Sequence, residues 1–179
     1  ESAILLMQYM VTTPFQDNES ALSWSSCFRL LRMFCEPAIL LGSGGFFIYL
    51  GTIIRSILIS SLSLVSVVED YIVAFIDHLY TISFTSNKHS FLELLRHSIF
   101  NVVVETFPIA SRLNNPVYRR LIIISKENIL SSQSLVGIFP LTLSKLLANV
   151  AMILRSELCD VDAISINEMD IVYEILHLI

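Results

Sequence analysis

Apolar residues recur along this chain at spacings of three and four, interrupted by prolines, glycines and short polar runs, which predicts a succession of helices. The strongest such stretch runs from Arg120 to Leu154. Leu121 to Ile124 is apolar at four consecutive positions, so a helix there is wet on almost no side and reads as core. After the polar run Ser131 to Ser134 the chain turns through Gly137 and Phe139-Pro140, and the fixed φ of Pro140 suits a first helical turn. The following helix places Leu143, Leu146, Leu147, Val150 and Leu154 on one stripe. The earlier helices are expected to pack around this pair.

Taken from the start, Glu1 to Thr13 is apolar at Ile4, Leu5, Leu6, Tyr9 and Met10 and is stopped by Pro14. Ser20 or Asn18 can cap a second helix through Leu22, Trp24, Phe28, Leu31 and Phe34, with Arg29 and Arg32 as its wet edge and Pro37 as its end. Beyond the Gly42 to Gly45 turn lie a helix over Phe46 to Ser60, with Arg55 its single charge, and another over Leu64 to about Ser83. In the latter, Glu69, Asp70, Asp77 and His78 fall on roughly one solvent face. Thr85 to His89 reads as a loop, and Ser90 to Leu113 as a helix with a wet edge at Glu93, Arg96, His97 and Glu105, kinked or ended by Pro108. Asn114-Asn115-Pro116 is a break that starts the next helix. Cys159 to Ser165 is an acidic loop, after which Ser165 to Glu168 forms a capping box for a final helix through Ile171, Ile175 and Leu178. The β-branched runs Val102 to Val104 and Ile122 to Ile124 are the only stretches that also suit a strand. The pattern gives one all-α domain over residues 1–179, a compact multi-helix bundle of about nine helices.

Composition narrows what such a bundle does. The chain is 54% hydrophobic and 15% charged, with net charge −5, mean hydropathy +0.70 and a pI near 5.3. It offers no broad basic surface to neutralise phosphates along a duplex. Cys27, Cys35 and Cys159 sit in apolar helical contexts and read as reduced core thiols of an intracellular protein. The chain opens at Glu1 with no basic, apolar leader and reads as a domain excised from a longer protein. Gly42 to Gly45 has neither a preceding strand nor a following Lys-Ser or Lys-Thr, so it reads as a turn and not as a phosphate cradle. His78, His89, His97 and His177 are scattered, and the eight-residue spacing of His89 and His97 is too long for a one-turn metal pair. Asp77, His78 and Glu105 have no nucleophile at a recognisable spacing. Arg112, Arg119, Arg120 and Lys126 make a local basic cluster that reads as helix-end charges solvating a loop, with contact to an acidic partner or a phosphate as the alternative. No enzyme activity, metal or cofactor is therefore expected.

The run Leu121-Ile122-Ile123-Ile124-Ser125-Lys126-Glu127-Asn128, then Phe139, then Lys145-Leu146 and the apolar helix to Leu154, resembles the last third of the telomere repeat-binding factor homology (TRFH) domain. Phe46 to Leu58 is similar to the family's Ile-Tyr-containing helix, and Phe91 to Phe107 to its long central helix. Pro140 stands where the family has Ser. The resemblance implies a domain of a fungal double-stranded telomere-binding protein, placed in the nucleus at chromosome ends. Such a domain forms a homodimer through its first and last helices and recruits other telomere-associated proteins, while a Myb-like domain elsewhere in the parent protein contacts telomeric DNA. Transferred here, the dimer surface uses Ile4, Leu5 and Trp24 with Ile171, Ile175 and Leu178. The family also grips a Phe-x-Leu-x-Pro peptide with a loop between its third and fourth helices. Only Ser60-Ser61-Leu62-Ser63 separates those helices here, so weak or no binding of such a peptide is expected.

Two other readings fit an apolar helical chain. A Bcl-2-like or α-solenoid module would present a groove or repeated helix pairs. A membrane-embedded protein could use Ala38 to Val68, thirty-one residues with only Arg55 charged, set against a hydrocarbon core of ~30 Å. The Gly42 to Gly45 turn and the Ser60 to Ser63 break oppose this, as does Arg55, since a charge near mid-bilayer costs at least ~2.5 kcal/mol.

Overall fold

The computed structural model describes residues 2–43, 45–85, 89–110, 115–130 and Ala148. These residues are all-helical, forming α1 (Ser2–Thr12), α2 (Asn18–Phe34), α3 (Pro37–Gly42), α4 (Phe46–Leu58), α5 (Leu62–Thr85), α6 (His89–Ala110) and α7 (Pro116–Leu130). The turn at Gly137, all but Ala148 of the helix expected after Pro140, and the final helix with Ile171, Ile175 and Leu178 lie outside the described residues.

Local chemistry sets the helix ends. Asp17, and neither Ser20 nor Asn18, caps α2: its Oδ1 accepts from the Ser20 N–H at 2.7 Å, and the Ser20 Oγ accepts from the Asp17 N–H at 3.1 Å. Ser20 is thus the reciprocal partner at the third helical position. Pro37 does more than end α2. It occupies the first turn of α3, with the preceding Glu36 held extended. Pro116 likewise opens α7, while α6 continues two residues past Pro108. Tertiary anchoring outweighs the proline there: Val102, Val103, Val104 and Thr106, in the turns just before it, are all buried. The valine run, which also suited a strand, lies within α6.

The core is one continuous cluster spanning all seven helices. Among the described residues, α5 packs against α2, α3, α6 and α7, while α1 and α4 pack on each other and on α2, α6 and α7. On the α2 side Phe28 meets Phe75 at 5.7 Å, and the Ser25 hydroxyl lies between the Ala21 and Val67 carbonyls. Each fully buried aromatic or large aliphatic side chain of this kind contributes about 1.5–3 kcal/mol of transfer free energy. At the other end Phe46 of α4 packs on Phe91 of α6 at 5.7 Å, with Phe47 edge-on at 5.1 Å. Gly51 lets α4 approach α6 closely, since a Cβ there would meet a Val102 methyl at 3.3 Å.

Several positions differ from the periodicity reading. Ile123 is half exposed, although Leu121, Ile122 and Ile124 around it are buried. Arg96, expected on a wet edge, is buried; its guanidinium donates to Glu93 at 2.7 Å and lies 5.9 Å from the centre of the Phe84 ring. A carboxylate one turn away and an aromatic face let the charge be drawn inward. Asn115 is buried as well. Its Nδ2 donates to the Ile57 and Leu58 carbonyls, both at 3.1 Å, and its Oδ1 accepts from the Val117 and Tyr118 N–H groups. One side chain therefore satisfies the last carbonyls of α4 and the first amides of α7. Among the described residues no helix is long and apolar enough to cross a membrane.

Candidate functional site

α1 is apolar almost all round, through Ile4, Leu5, Leu6, Met7, Tyr9, Met10 and Val11. Such a helix cannot hide every side chain when only one face meets the core. The face it turns inward carries Ala3, Met7 and Met10. Leu5 is left 64% exposed, and Tyr9, one turn on, is also exposed. The Tyr9 hydroxyl reaches the Ser23 hydroxyl of α2 at 3.1 Å, and beside Ser23 in sequence Leu22 is 62% exposed. Leu5, Tyr9 and Leu22 thus give the two joined helices an apolar outer surface.

Of the residues expected on a dimer surface, Leu5 is on this face and Ile4 is half-buried against the core. Trp24 is only 1% exposed and stacks under Phe15 at 4.7 Å, so its place is in the core of its own chain. Ile171, Ile175 and Leu178 lie outside the described residues. Leu22, which periodicity assigned to the buried stripe, is the member of the face that sequence reasoning missed. The signal was present in α1: an excess of apolar residues over what one face can bury.

A second feature is a groove of about 470 Å³ between α4 and α6. Phe47, Ile48 and Gly51 line one wall, Leu94, Ser98 and Val102 the other, and the exposed Arg55–Glu105 ion pair bridges the two helices. Within it His97 lies 3.1 Å from the Asn101 carboxamide, and the Ser98 hydroxyl donates to the Phe47 carbonyl at 3.3 Å. A serine committed to a backbone carbonyl and a histidine beside a carboxamide make no nucleophile–base pair. Ile48 and Leu94 are exposed at its rim.

The remaining sequence candidates are dispersed. His78 is on α5, His89 is the exposed first residue of α6, and His97 lines the groove. Among the described residues no three His, Cys, Asp or Glu side chains gather as metal ligands. The segment before Gly42 is the short helix α3 and not the strand a phosphate-cradling loop needs. Arg120 is exposed and Arg119 half-buried, whereas Arg112 and the side chain of Lys126 are outside the described residues. No protein-family model, curated protein or solved structure matches this chain.

Proposed function

We propose that this chain is a non-catalytic helical interaction domain that self-associates through the outer face of α1 and α2. The supporting observation is the exposure of Leu5, Tyr9 and Leu22 on two helices joined by the Tyr9–Ser23 hydrogen bond. Large apolar side chains grouped this way gain by leaving water together. Three residues fall short of the roughly 800 Å² per partner of a stable interface. In this reading the rest of the surface comes from the final helix, through Ile171, Ile175 and Leu178.

The resemblance of residues 121–154 to the TRFH domain gives the proposal its biological setting. The parent would be a telomere repeat-binding protein of the nucleus, with DNA contacted by a separate Myb-like domain and other telomere proteins recruited through this one. A second reading, a peptide-binding helical module, is favoured by the α4–α6 groove with its exposed Ile48 and Leu94.

Light scattering on a sizing column, across a range of concentrations, tests self-association. The expected species has twice the 20.2 kDa chain mass. Leu5→Glu combined with Leu22→Glu should give a monomer with unchanged far-UV circular dichroism, because both side chains are already exposed. A wild-type chain that stays monomeric at every concentration would sink the proposal.

A further inference from the structure

Two turns beyond Leu22, the outer side of α2 changes character. Arg29, Arg32 and Met33, with His78 of α5, line an open notch of about 360 Å³. The arginines are three residues apart and therefore neighbours on the helix surface. Both are exposed, and among the described residues neither is in an ion pair, although the chain carries a net charge of −5. Burial, and then the charge of Arg32, hold the His78 imidazole below its ordinary pKa. Beside the notch run Leu30, Met33 and Phe34, spaced three and four apart and all exposed, Met33 at 76%.

Two guanidinium forks with no carboxylate partner among the described residues are a receptor for an anion. A carboxylate has two oxygens and fills one fork. A phosphomonoester has three acceptor oxygens and nearly two charges, enough to engage both. The notch is open to one side and does not enclose a free small molecule as ligand pockets do. A phosphate carried on a polypeptide would find its remaining contacts on the apolar stripe next to it. We propose that the C-terminal half of α2 docks a phosphorylated segment of a partner protein. The phosphate seats between Arg29 and Arg32 against His78, and apolar residues flanking the phosphorylated side chain lie on Met33 and Phe34. This site is separate from the α1–α2 apolar face, so either can fail without the other.

The test is a titration of the full chain, followed by NMR of the His78 ring and by calorimetry, with four probes. These are the blocked pentapeptide Ala-Leu-phosphoSer-Leu-Ala, its unphosphorylated form, its form with Glu in place of phosphoSer, and inorganic phosphate. Saturable binding of the phosphopeptide is expected, at least about tenfold tighter than any of the other three. It should weaken by about tenfold or more in Arg29→Ala combined with Arg32→Ala, whose helix is kept because alanine is the best helix former. Absence of saturable binding, equal affinity in the double variant, or equal affinity for the Glu peptide would overturn the proposal. So would inorganic phosphate binding as tightly as the phosphopeptide, which would assign the notch to small phosphate esters.

Discussion

Asn115 shows how much one side chain decides. It holds four backbone groups at the junction of α4 and α7, away from water. Asn115→Ala removes the cap of α7 and the donors to the Ile57 and Leu58 carbonyls, and should lower the unfolding free energy by about 2–4 kcal/mol. Asn115→Asp keeps the acceptor but sets a carboxylate against two carbonyl oxygens, so its loss should be smaller in acid than at neutral pH. Urea unfolding of both variants at two pH values checks this; a cost under about 0.5 kcal/mol for the alanine variant would place the junction elsewhere. Burial also pushes the Cys35 thiol up to about 12 from its ordinary 9.0, and raises Cys27, Tyr80 and Tyr118 in the same direction. These groups favour the folded chain while the unfolded one ionises. Their contribution is complete below the unfolded value and is lost as pH rises toward the folded value. Stability should therefore fall between pH 9 and about 12 for Cys35, read by circular dichroism, and Cys35→Ala should soften the fall. Identical alkaline midpoints for the two chains would show that the thiol does not titrate with folding.

Among the helices, sequence and structure agree best where a terminator acts locally. Pro14, Pro37, Pro116 and the glycine turn after Leu41 all separate helices in the structure, because proline fixes φ and glycine weakens a helix wherever the rest of the chain lies. Agreement is weaker over faces. Periodicity put Leu22 and Phe34 in the buried stripe of α2, yet both are exposed, and it put Arg96 outside, where it is buried. The Arg120 to Leu154 stretch, read as the organiser, lies largely outside the described residues; among those described, α5 packs against α2, α3, α6 and α7. One element-scale expectation gains geometry: α4 ends at Leu58 and α5 begins at Leu62. A connection this short cannot wrap a bound strand, so a Phe-x-Leu-x-Pro peptide should show no calorimetric binding. A low-micromolar dissociation constant would reverse that expectation and return the TRFH docking mode to this end of the molecule.

For the whole molecule, the sequence by itself determined that the described chain is helical and where most of its helices stop. Spacing of apolar residues by three and four, and the fixed backbone of proline, are properties that neighbours in the chain settle between themselves. It also determined the acidic balance, a net charge of −5. Tertiary structure alone decided which sides of those helices are wet. A helix as uniformly apolar as α1 has no preferred inward face until α2 and α4 pack on it; only then do Met7 and Met10 become core and Leu5 and Tyr9 surface. The notch of Arg29, Arg32 and His78 belongs to the same class of fact. Its members are nearly fifty residues apart in sequence. They meet because α2 lies along α5, and the burial of apolar surface between those two helices, not any affinity among the three side chains, holds them together.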